Sequence, residues 1–598
     1  MGVKPIAADA GQAQTIFGSD ILELHAEVLK GGRWHPARVT WTDLAALILI
    51  VVIILLLGSA ARQMLAPFSA AQPPQITLSP AALPNYALRT TMRMLAALVV
   101  SLIFTLTYGT LAAKSRRAEM VLIPLLDVLQ SVPVLGYLSF TVVFFVSLSP
   151  NRFLGAELAA IFAIFTSQAW NMTFSFYQAL RTIPTDLDEA SRGFRFSGWQ
   201  RFWRVEVPFA MPGLIWNTMM SMSGGWFFVV ASEAISVGSL QVALPGIGSY
   251  VAMAIQARDL AAVGWAIMAM GVTIVIYDQL LFRPLVAWAD KFRYEQAAAA
   301  IVPRSWIVDF FQRTSLLRAL GGSIDTMTQA VARARLSIRP ARPPGWQALP
   351  PKLLDVIWFG LVLAAVAYLA WVLFGFARAE LSWADVVDAV SNGGITLLRV
   401  AVLVGLATLI WVPIGVAVGL RPIWAEKVQP IAQFLAAFPA NLLFPLAVYL
   451  IVRFQLSPVI WLSPLMILGT QWYILFNVIA GASVFPTDLR EAATTFRIRG
   501  WRWWRDVMLP GIFPYFVTGA ITASGGAWNA SIVAEVVSWG PTKLNGLGLG
   551  AYIAQMTEAG DYPRIALGIA VMSVLVVATN RLLWRPLYAY AERRTRLD

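Results

Sequence analysis

The sequence predicts an all-α membrane protein with about twelve transmembrane helices, arranged as two parallel six-helix repeats. Three observations support this prediction. Of the 598 residues, 58% are hydrophobic and 13% are charged, whereas soluble proteins carry roughly 25% charged residues. Twelve apolar runs are long enough to cross a bilayer, which takes about 20 residues. A set of residue identities also recurs at an offset of 302.

This composition excludes whole classes of protein. A soluble chain of this length would form several domains, and there are too few polar residues to cover their surfaces. A soluble enzyme, a disordered chain and a fibrous protein are therefore excluded. The formal net charge of +13 would suggest a nucleic-acid partner in a soluble protein. In a chain this apolar we attribute the charge to membrane topology, and we expect contact with lipid and no nucleic-acid partner.

The chain has few thiol and imidazole groups, which limits the metal sites and catalytic sites that it can form. There is no cysteine, and the two histidines, His25 and His35, both lie near the N-terminus. A disulfide framework and a thiolate metal site are thereby excluded. We expect no metal site and no catalytic residue. Residues 1–41 are mixed and polar, and no cleavable signal peptide is visible.

The twelve apolar runs fall into two sets of six. Several contain proline, such as Pro133, Pro413 and Pro439, which membrane helices tolerate where neighbours satisfy the freed backbone groups. The predicted spans are 42–60, 93–113, 119–148, 155–180, 209–232 and 262–284, followed by 353–376, 395–420, 428–452, 456–480, 512–536 and 563–587.

The distribution of basic residues predicts that both termini are cytoplasmic. With that orientation, 35 of the 45 Lys and Arg residues lie in inner segments, as the positive-inside rule requires. The reverse orientation would place most of them outside. We therefore expect a multi-pass protein of the bacterial inner (plasma) membrane.

The two sets of spans are copies of one repeat. The tetrapeptide at 184–187 recurs at 486–489. Further identities at the same offset are Glu189 with Glu491, Ala190 with Ala492, Gly198 with Gly500, Trp199 with Trp501 and Glu233 with Glu535. Because each copy has an even number of spans, both copies face the same way, which makes the repeat parallel.

These boundaries divide the chain into five segments. The linker ends in a Pro-rich basic stretch, and apolar residues between Trp306 and Leu320 recur with helical spacing. We interpret that stretch as an interfacial helix; a regulatory or docking element is the alternative. The segments are 1–41 (cytoplasmic), 42–284 (first repeat), 285–352 (cytoplasmic linker), 353–587 (second repeat) and 588–598 (cytoplasmic tail).

The loop between spans four and five is the most informative segment of each repeat. It runs from Pro184 to Pro208, and in the second copy from Pro486 to Pro510. Acidic residues follow the first proline in both copies, as suits the start of a helix. A glycine then separates a second short helix. Two such loops at equivalent places predict a rigid docking element, and a helical hairpin resting on the membrane surface is the alternative.

These loops resemble the EAA loop of the permeases of binding-protein-dependent ABC importers, which implies a type I importer fold. The first loop reads Glu189-Ala190-Ser191 through Val205-Glu206-Val207-Pro208, and the second reads Glu491-Ala492-Ala493 through Val507-Met508-Leu509-Pro510. The resemblance covers roughly 85–300 and 390–598, and residues 199–205 look most like the nitrate/sulfonate/taurine/bicarbonate branch. The glycine that the family places four residues after the second alanine is replaced by Arg195 and Arg497.

The resemblance implies a transport subunit, not an enzyme. Each loop would bind one copy of a separate ABC ATPase subunit, and an external solute-binding protein would deliver a small anion such as nitrate, a sulfonate or bicarbonate. ATP and Mg would bind to the ATPase, since this chain has no phosphate-binding GxxxxGK[ST] loop and we expect no cofactor in it. The implied coupling residues are Glu189, Ala190, Gly198, Trp199, Glu491, Ala492, Gly500 and Trp501.

Polar residues within the spans are candidates for a translocation path, because polar groups in a membrane are costly and often functional. Hydrogen bonding between helices is the alternative for each of them. The candidates are Gln130, Gln168, Trp170, Asn171, Trp226, Glu233, Asn441, Gln471, Trp472, Asn477, Trp528, Asn529 and Glu535. For the two glutamates, a structural pairing at the membrane edge is the alternative.

A secondary transporter of the major-facilitator type is the main rival interpretation, since it also has parallel six-plus-six repeats. It would place its signature basic loops between spans two and three. Here those loops are short, and the long loops follow span four. A membrane scaffold without transport is a second rival, against which the paired loops and the polar spans argue.

Overall fold

The computed structural model divides the chain into two compact units. The first unit comprises Met1–Ile54 and Trp306–Val331, and the second comprises Leu55–Ser305 and Ala332–Asp598. The structure describes residues 76–149, 153–237, 240–289 and 350–595, with scattered residues in 41–62 and 307–334. Both histidines, most of the predicted segment 1–41 and most of the predicted linker helix lie outside the described residues.

In the second unit, the first repeat consists of ten helices and a two-stranded hairpin within the described residues. The elements are α1 (Leu83–Lys114), α2 (Arg116–Leu129), α3 (Val134–Leu148), α4 (Phe153–Arg181), α5 (Thr185–Gly193), α6 (Gly198–Arg201), α7 (Val207–Glu233), β1 (Ala234–Val237), β2 (Leu240–Ala243), α8 (Ile247–Ala257), α9 (Leu260–Tyr277) and α10 (Arg283–Ala289).

The second repeat follows the same order after one additional long helix, α11 (Pro351–Glu380). It differs at the fourth segment, where two shorter helices, Pro458–Trp461 and Gln471–Ser483, replace α4. The elements are α12 (Trp383–Gly419), α13 (Pro422–Ala437), α14 (Phe444–Arg453), α15 (Pro458–Trp461), α16 (Gln471–Ser483), α17 (Thr487–Thr495), α18 (Trp501–Trp503), α19 (Leu509–Ala534), β3 (Val536–Trp539), β4 (Thr542–Asn545), α20 (Leu549–Ala559), α21 (Tyr562–Thr579) and α22 (Arg585–Thr595).

Among the described residues, six helices are long and apolar enough to cross a membrane, and three bent helix pairs would raise this number to nine. Helices α4 and α7 occupy the predicted spans 155–180 and 209–232 and are 29 and 27 residues long. The first predicted span, 42–60, is mostly outside the described residues. The all-α membrane fold is confirmed, whereas the number twelve stays a prediction.

Three predicted spans are broken, although the sequence analysis treated them as continuous. Helices α2 and α3 meet at a bend of 101°, α13 and α14 at 79°, and the segment around α15 meets α16 at 41°. Pro133 caps α3, and Pro439 begins the turn before α14. Proline lacks an N–H and its ring clashes with the preceding turn, so it ends the helix there.

The two hairpins were not predicted from the sequence. β1 pairs with β2 and β3 pairs with β4, both antiparallel. In the second hairpin, β-branched residues precede a turn in which Gly540 has a φ of 58°, which is the local signal that identifies such a turn. The Gly540 N–H donates to the carbonyl of Ile255 at 2.9 Å, so the second hairpin contacts the end of α8 in the first repeat.

The third helical segment of each repeat packs into the core of the other repeat. Leu138 and Val142 of α3 belong to a buried apolar cluster formed mainly by α12, α16 and α19. In the opposite direction, Leu442 and Val448 belong to the cluster of α1, α7 and α9. Because each repeat buries part of the other, the two repeats form one unit.

Four π-helical turns lie at equivalent places in the two repeats. Each joins two helices without interrupting the helical chain, and each is five residues long. They are Phe202–Glu206 between α6 and α7, Asp278–Phe282 between α9 and α10, Trp504–Met508 between α18 and α19, and Asn580–Trp584 between α21 and α22.

Candidate functional site

The paired loops, residues 184–208 and 486–510, have the same backbone turn. At the end of α5, the Phe196 N–H donates to the Ser191 carbonyl at 3.1 Å. At the end of α17, the Ile498 N–H donates to the Ala493 carbonyl at 2.8 Å. This six-to-one bond defines a Schellman motif, in which one residue takes a left-handed conformation.

Arg195 and Arg497 are the left-handed residues of these turns, with φ of 51° and 52°. These are the positions where the resembled family has glycine, which adopts such angles without steric cost. The replacement therefore leaves the turn geometry intact and adds a backbone strain of about 1–2 kcal/mol at each arginine.

Several coupling residues implied by the resemblance lie on the surface of the paired loops. Glu189 and Glu491 are exposed on the short helices α5 and α17. Beside each turn, an aromatic ring projects outward, since Phe194 is 74% exposed and Phe496 is 78% exposed. Large exposed aromatic rings on a rigid turn are typical of a protein-binding surface. Ala190, Gly198, Gly500 and Trp501 are exposed as well, while Trp199 and Ala492 are half-buried.

The first of the paired loops is held by a network of ion pairs. Arg201 contacts Asp188 at 2.5 Å and Glu206 at 3.1 Å. Lys114, at the end of α1, contacts Glu206 at 2.7 Å. Ser197 and Gln200 also form a reciprocal capping box at the start of α6. These contacts attach the first loop to the membrane helices.

The second loop has fewer such restraints. Arg505 and Asp506 form an ion pair at 2.7 Å between adjacent residues. The N-cap of α18 is Gly500, with a φ of 62° and no side-chain hydrogen bond. The two loops therefore share a turn and differ in how firmly they are attached.

A cavity of about 710 Å³ lies between the two repeats. All three helix breaks contribute to its wall: the first at Ser131 and Val132, the second at Phe438 and the third at Thr470. Irregular backbone at membrane depth is tolerated only where it is buried in protein or lines a polar cavity. The position of all three breaks in the wall of this cavity agrees with that rule.

Part of the predicted translocation path lies in the wall of this cavity. Asn529 also bridges the repeats there, because its Oδ1 accepts from the Val134 N–H at 2.8 Å. The predicted residues that line the cavity are Gln130, Trp170, Asn171, Asn477, Trp528 and Asn529.

The other amide and indole candidates contact neighbouring helices instead. Gln168 accepts from Ser101 at 3.3 Å, and Gln471 accepts from the Trp411 indole at 3.0 Å. The ring of Trp472 lies 4.8 Å from that of Trp411. Asn441 donates to the Phe227 carbonyl at 3.2 Å, and Trp226 lines a separate cavity of about 520 Å³. For the candidates other than Trp226, the structure supports the alternative role of binding helices together.

Glu233 lies in a buried ion-pair cluster and does not line the cavity. Its Oε1 accepts from Arg93 at 2.7 Å and from Thr90 at 2.7 Å. Arg93 also contacts Glu157 at 2.5 Å. The Oε2 of Glu233 accepts the Gly248 N–H at 2.7 Å, so this cluster fixes the start of α8 against the end of α7.

Glu535 forms the equivalent cluster in the second repeat. Its Oε1 lies 3.4 Å from Arg399 and accepts from Thr396 at 3.0 Å. Its Oε2 accepts the Ala551 N–H at 2.9 Å. Arg399 also donates to the carbonyl of Val459 at 2.9 Å. The structural pairing considered in the sequence analysis therefore describes the contacts of both glutamates.

The sequence analysis missed several polar residues of the cavity. Thr470 and Tyr473 were missed and line it together with the predicted Asn477, and the spacing of three and four residues places all three on one face of a helix. Gln471 and Trp472 fall on another face. The remaining missed polar residues are Ser131, Thr166, Ser167, Trp216, Asn217, Ser221, Ser223, Tyr515, Thr518, Thr522, Ser524, Thr579, Asn580 and Trp584.

Comparison with known proteins identifies relatives among bacterial permeases. The bicarbonate transport system permease protein CmpB of Synechocystis sp. is 25% identical over 183 residues, which is 31% of this chain and 62% of that protein. The nitrate import permease protein NrtB of Leptolyngbya laminosa is 24% identical over 187 residues, or 31% and 63%. The glycine betaine/proline betaine transport system permease protein ProW of Escherichia coli is 32% identical over 165 residues, or 27% and 44%. The match thus spans less than two thirds of each relative.

The family comparison covers both repeats. The model of the binding-protein-dependent transport system inner membrane component matches residues 105–289 and 411–597. These two segments contain the paired loops and most of the helices that line the cavity. Two matches in one chain also agree with the internal duplication. The chain belongs to the family of inner membrane components of binding-protein-dependent transport systems, as a fused double permease.

Proposed function

We propose that this chain is the complete transmembrane part of an ATP-driven importer for a small anion. The observation that supports this most is the presence of two matched loops, each with an exposed phenylalanine beside the same Schellman turn. Both family matches contain one of these loops, which favours an importer over the major-facilitator interpretation. Relatives named as bicarbonate and nitrate permeases support the choice of solute.

In this proposal, each of the paired loops is an EAA-type loop that binds one copy of a separate ABC ATPase subunit. Both loops, both termini and the linker would then lie on the cytoplasmic side of the inner membrane. ATP and Mg would bind to the ATPase subunits. ATP can change the access of the cavity only if it binds the two access states with different affinity.

The cavity of about 710 Å³ would form the central part of the translocation path. An external solute-binding protein would deliver the anion to the opposite side of the membrane from the paired loops. Six of the predicted path residues, including Asn171 and Asn529, line this cavity. The two buried Arg–Glu clusters would have a structural role beside it.

The test is a co-expression of this chain with the ATPase and the solute-binding protein from the neighbouring genes. We expect the ATPase to co-purify with two copies per chain, measured by quantitative mass spectrometry, and ATP to drive anion uptake into proteoliposomes. The double variant Glu189→Ala with Glu491→Ala should reduce uptake at least tenfold while the ATPase subunits still hydrolyse ATP.

The matched control is Glu380→Ala, since Glu380 is an exposed glutamate at the end of α11, outside the paired loops. It should leave uptake unchanged. Full uptake by the double variant would contradict the assignment of the loops. Uptake by the purified chain alone, driven by an ion gradient, would contradict the importer itself.

A further inference from the structure

We propose that the ion pair between Asp127 and Arg585 is a latch between the two repeats, that is, a contact which must break when the helices on its two sides move apart. It connects the second paired loop with the cavity. This inference rests on the proposed function, because it names residues that control access to the same path. It goes further by assigning that control to one side of a duplicated structure.

The ion pair joins a helix of the first repeat to a helix of the second. The Nη2 of Arg585 donates to the Oδ2 of Asp127 at 2.5 Å. Asp127 lies on α2, and Arg585 is the first residue of α22. The side chain of Asp127 is 25% exposed and that of Arg585 is 56% exposed. A charge-assisted bond of this length holds the two helices together, and the partial exposure of both groups to solvent allows it to open during a transport cycle.

The acidic partner also contacts the wall of the cavity. The Nε2 of Gln130 donates to the Oδ1 of Asp127 at 3.0 Å. Gln130 lines the cavity of about 710 Å³, and so does Asn580, in the π turn that directly precedes Arg585. A solute that accepts a hydrogen bond from Gln130 would compete with Asp127 for the same amide. Occupation of the cavity can therefore change the strength of the ion pair.

The basic partner is connected to the second paired loop. Tyr590, on the same helix as Arg585, packs against Phe513 of α19, with ring centroids 6.2 Å apart. Helix α19 begins at Leu509, inside the second paired loop. A displacement of that loop therefore reaches α22 and Arg585 through packed side chains, which is the kind of contiguous contact that carries coupling between sites.

The internal duplication contains a counterpart of this site without the latch. Arg283 corresponds to Arg585 at the offset of 302. Upstream of the paired loops the offset is 306, which relates the prolines of the first two helix breaks and also relates Asp127 to Gln433. Both counterparts, Arg283 and Gln433, line the separate cavity of about 520 Å³. An uncharged amide thus stands where the latch has its carboxylate.

The two sites differ in where the acidic residue lies. In the first repeat, Asp278 of the π turn pairs with Arg283 at 3.5 Å, within one repeat. In the second repeat, the equivalent position of the π turn is Asn580, and the arginine takes its carboxylate from the other repeat. The interface of the repeats is therefore joined by charge on one side and opens into a cavity on the other. The latched side has to release when access to the path changes.

The experiment measures the distance between α2 and α22 in the full-length chain in lipid nanodiscs. Because the chain has no cysteine, spin labels attach only at Arg116→Cys and Tyr588→Cys, two exposed positions on these helices. The distance distribution is measured by double electron–electron resonance. We expect Asp127→Asn and Arg585→Gln each to raise the population of a longer distance about threefold, the shift that an exposed ion pair can supply. The charge exchange, Asp127→Arg with Arg585→Asp, should restore the wild-type distribution.

The matched control is Arg283→Gln, which removes, among the described ion pairs, only one within the first repeat. It should leave the distance distribution unchanged. The double variant Gln433→Asp with Asp278→Asn transfers the arrangement of the second repeat to the first. It should lower ATP-driven uptake by the reconstituted assembly about threefold, because both sides are then latched.

The inference is overturned if the two single variants keep the wild-type distances, or if Arg283→Gln changes them equally. Where a single variant fails to fold, seen in its thermal unfolding midpoint, recovery by the charge exchange supports the latch and failure to recover overturns it.

The outcome for the latch is separate from that for the proposed function. Uptake by the wild-type assembly together with unchanged distances in the variants would refute the latch and leave the proposed function standing. Absence of uptake by the wild-type assembly would refute the proposed function, whereas the distances in the chain alone would still show whether the ion pair holds the repeats together.

Discussion

The two repeats place an Arg–Glu pair at the same position and complete its hydrogen bonding by different means. In the first repeat, α4 is a continuous helix and brings the carboxylate of Glu157 within 2.5 Å of Arg93. In the second repeat, the corresponding segment is broken, and the carbonyl of Val459 accepts from Arg399 at 2.9 Å. A backbone carbonyl has thus taken the place of a carboxylate.

This difference shows that a broken membrane helix can supply hydrogen-bond acceptors from its own backbone. A continuous helix engages its own carbonyls, so a buried arginine beside it needs a side chain as partner. The broken segment presents the carbonyl of Val459, in the short helix α15, for that purpose. About ten residues further on, Gly469 and Thr470 at the break before α16 line the cavity. Both fourth segments line the cavity, the first through Thr166, Ser167, Trp170 and Asn171 and the second through Thr470, Tyr473 and Asn477.

The largest expected effect compares the two arginines. Arg93→Gln should destabilise the protein by about 3–5 kcal/mol, because it leaves two fully buried carboxylates without their cation. Arg399→Gln should cost about 1–2 kcal/mol, since Glu535 keeps its bonds from Thr396 and a backbone N–H. The measurement is unfolding in mixed micelles titrated with SDS.

Arg93→Lys serves as the control, because it keeps the charge and loses the fork that contacts both carboxylates. It should fall between the wild type and Arg93→Gln. Equal losses for Arg93→Gln and Arg399→Gln would show that the carboxylate of Glu157 adds nothing, and that the two clusters are equivalent despite their different partners.

A smaller effect compares the paired loops. Ser197→Ala removes the capping box at the start of α6, which should cost about 1 kcal/mol and speed amide hydrogen exchange in the first loop. Arg499→Ala, at the equivalent position before α18, removes no cap and should leave exchange in the second loop unchanged. A matching increase in both loops would contradict the view that the first loop is the more firmly held.

The smallest expected effect is shared by both repeats. Arg195→Gly and Arg497→Gly relieve the left-handed strain at the Schellman turns and should each stabilise the protein by about 0.5–1 kcal/mol. Thermal unfolding midpoints of the two single variants measure this. A loss of stability in either variant would mean that the arginine side chain makes a contact worth more than the strain.

Much of the fold could be predicted because it depends on local signals. Apolar length located the helices, and the prolines at 184 and 486 located α5 and α17 within one residue. The helix breaks were harder, since a proline in a membrane helix is compatible with either a kink or a full break. The hairpins were missed because strands of four residues are too short to stand out in an apolar chain.

The candidate site was predicted only in part for a different reason. Gln168 and Asn171 lie on the same helix and are both polar, yet Gln168 contacts Ser101 of α1 whereas Asn171 lines the cavity. The packing of neighbouring helices decides which face of a helix lines the cavity. The identity of a single residue does not indicate which face it lies on.

The π turns give the paired loops a defined mechanical link to the membrane helices. From Gly198 to Glu233 the chain is helical throughout, and the same holds from Trp501 to Ala534. A continuous helix of this kind transmits a displacement of the loop along the helix axis to the membrane segment. The wide turn holds an extra residue, which rotates the following helix face by about 100° relative to a regular helix. The π turn therefore sets the orientation of the loop relative to the cavity-lining face of the helix, while the loop and that helix stay continuous.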